Sequence, residues 1–300
     1  MPSTSDPTTP VGVSPPGYRL PEATRLGPVR LQISHLSRSL SFYGDVLGLR
    51  VLERAKDGAV LGVRDEREGL VELVERPGAR ALPPRRRLGL FHVAFLLPSR
   101  QALGRFALHL QEMGLRPGMS DHLVSEAIYL SDPDGLGIEV YADRPRSSRQ
   151  RSGRQLVMTT EPLDVQDLVE AAGDEAWNGA PAGTTIGHIH LHVGDLEEAS
   201  AFYHEALGLD RMVWNYSGAL FLAAGGYHHH LGLNTWASGS PPAAKDEARL
   251  MEWRIVVPDR AEADAAAESL RGAGYGVSED SQGWRAADPW GTMLRIDAED

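Results

Sequence analysis

Residues 41–49 read SFYGDVLGL, and residues 201–209 read AFYHEALGL, 160 residues further along the chain. Two further pairs keep nearly the same spacing: FLLPSR at 95–100 with IVVPDR at 255–260, and DPDG at 132–135 with DPWG at 288–291. Register that is kept over three segments indicates an internal duplication. The chain is therefore predicted to consist of two similar halves.

Each half divides again into two units with the same order of elements. Alternation of apolar residues predicts opening strands at 90–97 and 188–193. A helix is predicted after the latter strand, because Asp195 and Glu198 have the spacing of a capping box and Gly208 stands where that helix should end. Short strands follow each helix. The chain is thus predicted to be an α+β protein of four βαβββ units.

The units set the predicted domain boundaries. Residues 1–25 are rich in Pro, Ser and Thr, a composition typical of a disordered tail. One short helical pattern is predicted at 163–172. The remaining predicted segments are a first domain of two units at 26–143, a linker at 144–183, and a second domain of two units at 184–300.

Composition restricts the function. The formal net charge of −11 disfavours nucleic acid or an anionic membrane as a partner. The basic run 144–154 contains no aromatic residue and is interpreted as a solvated linker. Cysteine is absent, so any metal must be bound by nitrogen and oxygen. With no signal-peptide core and no long apolar run, a cytoplasmic location is predicted.

Histidines and one glutamate recur at matching places in these units. His92 and His188 lie in predicted opening strands, Glu139 lies in the strand after DPDG, and three histidines occupy 228–230. His190 follows His188 by two residues and therefore points to the same side of its strand. Two histidines and one carboxylate that strands bring together form the facial triad of a non-haem Fe(II) site.

This pattern resembles the vicinal oxygen chelate superfamily, which includes glyoxalases, antibiotic-resistance proteins and extradiol ring-cleaving dioxygenases. The resemblance covers nearly the whole chain beyond residue 26 and implies two such domains, each of two βαβββ modules, with metal ligands on the first and last strands of the units. A narrower resemblance, to the bacterial catechol-2,3-dioxygenase group, rests on GLFHVAFLLPSR (89–100), DHLVSEAIYLSDPDGLGIEVYADRPR (121–146), IGHIHLHV (186–193) and AGGYHHHLGLNTW (224–236).

The fourth unit departs from the pattern of the extradiol enzymes, in which the metal is expected between the third and fourth units. Glu252 stands where a histidine ligand would be, and Arg295 stands where the carboxylate would be. An arginine has no lone pair to offer a metal. The second unit supplies His92 and Glu139 instead. The second and third units are therefore predicted to form one cup, with His92, His188 and Glu139 as the ligands.

The resemblance also implies roles for polar residues around the ligands. Tyr129, ten residues before Glu139, matches the active-site tyrosine of the family, and His122 lies in the stretch that carries a further active-site histidine. Strand alignment favours His229 as the acid–base residue, while its two histidine neighbours are interpreted as structural. His190 is expected beside the metal in the same cup.

The function that the resemblance implies is Fe(II)-dependent extradiol cleavage of a catechol-type ring. A small aromatic diol and O2 would be the partners, and a muconic semialdehyde-type product would result. One alternative is a glyoxalase-type lyase or isomerase that uses Mn, Zn or Ni without O2. Another is a metal-free protein that binds an aromatic drug, for which three convergent ligands would serve no purpose. The sequence leaves a homo-oligomer open.

Overall fold

The computed structural model describes residues 10–83 and 87–299. The first unit contains β1 (Arg25–Leu26), β2 (Val29–Ile33), α1 (Leu36–Ser41), β3 (Arg50–Ala55), β4 (Gly58–Gly62) and β5 (Gly69–Glu75). The second unit contains β6 (Gly89–Leu96), α2 (Arg100–Glu112), β7 (Gly118–Asp121), β8 (Ser125–Ser131) and β9 (Gly137–Asp143). The segment that follows contains a short 3-10 turn (Arg146–Ser148), β10 (Arg151–Ser152), β11 (Gln155–Leu156) and α3 (Val165–Glu170).

The second half repeats this order. The third unit contains β12 (Thr185–His192), α4 (Leu196–Ser200), β13 (Asp210–Val213), β14 (Ala219–Ala223) and β15 (Leu231–Asn234). The fourth unit contains β16 (Arg249–Val257), α5 (Arg260–Gly272), β17 (Val277–Asp280), β18 (Gly283–Ala287) and β19 (Met293–Ala298). π-helical turns continue α1 over Phe42–Val46 and α4 over Ala201–Ala206. The predicted α+β class with four βαβββ units is confirmed.

The opening strands of the units pair antiparallel at the centre of two large sheets. β16 pairs with β2 in the sheet β17-β18-β19-β16-β2-β5-β4-β3, called here the 1–4 sheet after its two units. β12 pairs with β6 in the sheet β13-β14-β15-β12-β6-β9-β8-β7, called the 2–3 sheet. Each predicted domain, 26–143 or 184–300, therefore contributes one unit to each sheet, and the predicted pairing of units two and three is confirmed.

The repeated FY and DPxG motifs contact each other. The buried Tyr203 hydroxyl donates to the carboxylate of Asp288 at 2.9 Å, and the Tyr43 hydroxyl donates in the same way to Asp132 at 3.4 Å. Each aspartate also accepts N–H groups of its own turn. Since each tyrosine belongs to a unit of one sheet and its aspartate to a unit of the other, these bonds join the two sheets within one continuous hydrophobic core.

Residues 10–25 require a correction, because they were predicted to be disordered. Leu20 is buried in the core, and Arg19 forms a bidentate ion pair with Asp210, with N···O distances of 2.7 and 2.9 Å. A few apolar and charged anchors thus outweigh the Pro, Ser and Thr content of the segment. The other predicted tail residues, 1–9, lie outside the described residues.

The predicted linker, 144–183, contacts units of both sheets. Its Glu161 exchanges backbone hydrogen bonds with Asp121 on β7, and its Ala180 N–H donates to the carbonyl oxygen of Gly48 in the first unit. Its α3 falls inside the helical pattern predicted at 163–172. In its basic run, most residues are exposed as predicted, but the side chain of Arg149 is only 4% exposed and pairs with Asp143 at 3.3 Å. No helix among the described residues combines the length and apolar character that a membrane span requires.

An aspartate begins α4, as predicted, and the same arrangement occurs at α5. The Asp195 carboxylate accepts the N–H groups of Glu197 and Glu198 at 2.8 and 2.9 Å at the start of α4. The Asp259 carboxylate accepts the N–H of Glu262 at 3.0 Å at the start of α5. Both aspartates satisfy backbone donors that have no partner within the helix.

Replacement of Asp259 by alanine should lower the free energy of unfolding by about 1 kcal/mol, because α5 loses its N-terminal acceptor. Urea denaturation followed by circular dichroism measures this change. Asp259→Asn keeps an acceptor oxygen and is the matched control, with a stability close to that of the unmodified chain. Equal stabilities of the two variants would contradict the assigned cap.

Candidate metal centre

Three neighbouring strands of the 2–3 sheet carry the predicted ligands. In register, His188 on β12 lies opposite Ala94 on β6, and Ala94 lies beside Glu139 on β9. His92 is two residues before Ala94 and therefore shares its face of the sheet. Ala94 lies between His188 and Glu139, and its small methyl group leaves space for these two longer side chains to meet above it.

The predicted ligand atoms converge on one point. The Nε2 atoms of His92 and His188 lie 2.9 and 3.1 Å from the same Oε2 atom of Glu139, and 3.2 Å from each other. All three residues are at most 4% exposed. Three ligand atoms held about 2.1 Å from one ion at right angles would be about 3 Å apart. The spacing and the donor set therefore fit one face of an octahedral metal site.

Burial and mutual contact set the charges of this group. Burial alone would raise the pKa of Glu139, but the imidazoles of His188 and His92 outweigh it and hold that pKa well below its usual range. Burial lowers the pKa of His188 to about 4, despite the neighbouring carboxylate. Near neutral pH the group thus offers an ionised carboxylate and a neutral imidazole at His188, the forms that bind a metal.

His190 stands beside the ligands and is held by Asn234 on β15. The N–H of Trp236 donates to the side-chain oxygen of Asn234 at 3.1 Å, which turns the Asn234 amide nitrogen toward His190. That nitrogen donates to Nε2 of His190 at 3.0 Å. Because its Nε2 already accepts this bond, His190 lies next to the centre without completing it.

Tyr129 and His122 form a second polar pair near the centre. Tyr129 on β8 lies opposite Glu139, and its hydroxyl is 2.6 Å from Nε2 of His122. The other ring nitrogen of His122, Nδ1, is 2.6 Å from the carbonyl oxygen of Thr159. A carbonyl only accepts, so Nδ1 carries the proton and Nε2 accepts the tyrosine O–H. Thr159 belongs to the linker, where no sequence signal predicted a functional residue.

The three consecutive histidines differ in their surroundings. His229 lines the cavity described below, with its ring centroid 4.1 Å from that of His188. His228 is fully buried behind it and lies 2.7 Å from Asp143. His230 accepts a backbone N–H at 3.2 Å. Of the three, His229 is therefore the one placed to meet a ligand, while its predicted acid–base role remains a prediction.

A cavity of about 660 Å³ adjoins these groups. The triad, His190, His229, Tyr129 and His122 all line it, and its apolar walls include Leu90, Phe91, Ile138, Tyr216, Phe221 and Trp236. The volume falls in the range of small-molecule sites, roughly 300–1,000 Å³, and such sites combine apolar walls with a few convergent polar groups. A small aromatic molecule would meet the metal-binding atoms on one side and aromatic rings on the others.

The corresponding positions of the 1–4 sheet hold an ion-pair network. Arg295 on β19 donates to Glu252 on β16 at 2.9 Å and forms two bonds to Asp280 at 2.7 and 2.9 Å. Arg285 donates to Glu252 at 2.7 Å. Across residues 10–83 and 87–299, the group formed by the three predicted ligands is the one cluster able to hold a metal.

Comparisons with known proteins agree with this fold. Residues 25–140 and 185–295 match the family model of the Glyoxalase/Bleomycin resistance protein/Dioxygenase superfamily. The solved glyoxalase I of Zea mays superposes with a TM-score of 0.55 at 17% identity, over 92% of both chains, which supports the fold alone.

Two curated relatives are closer in sequence. A catechol-2,3-dioxygenase of Bacillus subtilis (strain 168) is 48% identical over 272 residues, which are 89% of this chain and 95% of the relative. A biphenyl-2,3-diol 1,2-dioxygenase 3 of Rhodococcus globerulus is 34% identical over 122 residues, which are 40% of this chain and 63% of that protein. The chain therefore belongs to the Glyoxalase/Bleomycin resistance protein/Dioxygenase superfamily, and the resemblance predicted from its motifs is confirmed.

Proposed function

We propose that the chain is an Fe(II)-dependent extradiol dioxygenase, which opens a catechol-type ring beside its diol with O2 and forms a muconic semialdehyde-type product. The observation that carries the proposal is the convergence of two imidazole nitrogens and one carboxylate oxygen beside the cavity. This ligand set with open positions is typical of non-haem Fe(II) oxygenases. The similarity to a protein named catechol-2,3-dioxygenase, over 95% of that protein, supports a catechol as the substrate class.

The predicted ligands would bind the metal, and the cavity walls would contact the substrate. Held by His92, His188 and Glu139, Fe(II) would supply open positions for the two hydroxyls of the diol and for O2, and would lower the pKa of those hydroxyls. Phe91 and Trp236, whose rings pack edge to face with centroids 5.5 Å apart, would form one apolar wall against the aromatic ring of the substrate.

Proton transfer would fall to His229. Burial holds the pKa of His229 well below its usual range, so its imidazole is neutral and able to accept a proton from a substrate hydroxyl. Burial likewise raises the pKa of Tyr129 well above 10, which keeps the phenol protonated. Since the Tyr129 hydroxyl donates to His122, its oxygen is left to accept a hydrogen bond from the second hydroxyl of the diol.

The test begins with purification without air and measurement of bound metal. Catechol is then added with and without O2, and the solution is monitored for a yellow ring-cleaved product. We expect bound iron and a product that forms only with O2. Turnover of glyoxalase-type substrates without O2, with bound Zn, Ni or Mn, would instead support a lyase or isomerase. Binding of aromatic compounds without metal or turnover would support the drug-binding alternative.

Glu139→Gln should remove most of the bound iron and leave the fold intact. The neutral amide cannot balance the charge of the metal. Iron per folded chain, measured by elemental analysis, decides this. Glu252→Gln is the matched control, because it changes a buried carboxylate of the 1–4 sheet that contacts arginines, and it should leave the iron content unchanged. Full iron occupancy in Glu139→Gln would remove Glu139 from the ligand set.

His229→Phe should retain iron and lower kcat by about 10²–10⁴-fold, the usual cost of losing a general acid–base group. Steady-state rates with catechol and the iron content measure the two effects. His230→Asn, a change in a neighbouring histidine that does not line the cavity, should change kcat far less. Loss of iron from His229→Phe would mean that His229 is a ligand.

A further inference from the structure

His229, His228 and Asp143 form a row of three hydrogen-bonded side chains, in which His229 is the member nearest the cavity. Nε2 of His228 lies 2.7 Å from Oδ1 of Asp143. Nδ1 of His228 lies 2.7 Å from Nδ1 of His229. His228 is fully buried, and His229 is 5% exposed where it reaches the cavity. An unbroken series of hydrogen bonds therefore runs from Asp143 to the wall of the cavity.

The direction of these hydrogen bonds follows from the first partner. A carboxylate only accepts, so Nε2 of His228 must donate to Asp143. A neutral imidazole carries one N–H, which leaves Nδ1 of His228 as an acceptor. The facing nitrogen, Nδ1 of His229, must then donate. The second nitrogen of His229, Nε2, is left without a proton.

The charges of Asp143 and His228 agree with this direction. Burial would raise the pKa of Asp143, but His228, Arg149 and Tyr227 together outweigh it and lower that pKa below its usual value. Burial lowers the pKa of His228 despite the carboxylate. Near neutral pH an ionised carboxylate therefore faces a neutral ring.

We propose that Asp143 and His228 are positioning residues that hold His229 in the one tautomer whose bare Nε2 is available to a ligand in the cavity. The catalytic meaning of this arrangement rests on the proposed function, because a base that takes a proton from a diol needs a lone pair at that nitrogen. An aspartate that fixes the tautomer of a catalytic histidine is an established device in enzymes, and here a second histidine lies between the two.

The carboxylate at the end of the row is itself held firmly. Asp143 ends β9 and lies four residues after Glu139, so both side chains project from the same face of that strand. Tyr227 donates to Oδ1 of Asp143 at 3.2 Å, and Arg149 donates to Oδ2 at 3.3 Å. One strand therefore places both the carboxylate of the metal site and the carboxylate that orients His229.

The variant Asp143→Asn tests this directly, because it can reverse the direction of both hydrogen bonds in the row. An amide can donate to Nε2 of His228, whose proton then moves to Nδ1 and forces His229 to carry its proton on Nε2. We expect kcat to fall by about 10²–10⁴-fold, with KM and iron content unchanged. Tyr227→Phe removes a different hydrogen bond from the same carboxylate and should lower kcat far less. A kcat of Asp143→Asn equal to that of the unmodified chain would overturn the proposal.

A spectroscopic measurement separates this proposal from the proposed function. In the full chain labelled with ¹⁵N-histidine, before metal is added, nitrogen chemical shifts report which ring nitrogen of each histidine is protonated, and His229→Phe identifies the His229 signals. We expect a protonated Nδ1 and a bare Nε2, exchanged in Asp143→Asn. A proton on Nε2 of His229 in the unmodified chain, or no change in the variant, would overturn the proposal even in a chain with ring-cleaving activity. If the chain cleaves no catechol, the proposed function fails while the tautomer is still decided.

Discussion

Antiparallel pairing of β6 with β12 is the constraint on which the candidate site depends. It places His190 opposite His92 and His188 opposite Ala94, so that imidazoles from two different units share one face of the sheet. A slip of one residue would turn each strand's side chains to the other face. Irregularities in the pairing flank the stretch 188–190 on both sides, and such bulges commonly re-aim side chains. The convergence of His92, His188 and Glu139 is therefore a consequence of strand register.

The two sheets show two ways of accommodating polar groups in a similar interior. Buried ionisable side chains are costly unless they are paired or bind a metal. In the 1–4 sheet, the buried Glu252 and the exposed Asp280 both pair with the guanidinium of the buried Arg295. In the 2–3 sheet, the imidazoles and carboxylate converge beside an open cavity. The shared fold fits both outcomes, and the identity of a few side chains decides which one occurs.

Most of the fold could be predicted because it is repeated in the sequence, and repeats expose the unit boundaries. The convergence of His92, His188 and Glu139 could be predicted from the departures at Glu252 and Arg295, which left a single complete set. Contacts between distant loops could not be predicted from the sequence. Thr159 reaches His122 only because the linker folds back over the 2–3 sheet. The packing of residues 10–25 depends on single residues such as Leu20 and Arg19, and the overall composition of the segment does not reveal them. The role of Asp143 becomes visible only when β9 meets the three histidines before β15.

The crossed pairing of the units also orders events during synthesis. β2 is synthesised before the strands of the other three units, yet its Gln32 pairs with Arg249 on β16, which belongs to the last of the four units. The 2–3 sheet, by contrast, lies wholly within residues 89–234. Two strands can pair only after both have been synthesised. The 2–3 sheet, which carries His92, His188 and Glu139, can therefore form while the last unit is still being translated. Until then β2, which lies between β5 and β16 in the finished sheet, keeps one unpaired edge, and such an edge can pair with another chain.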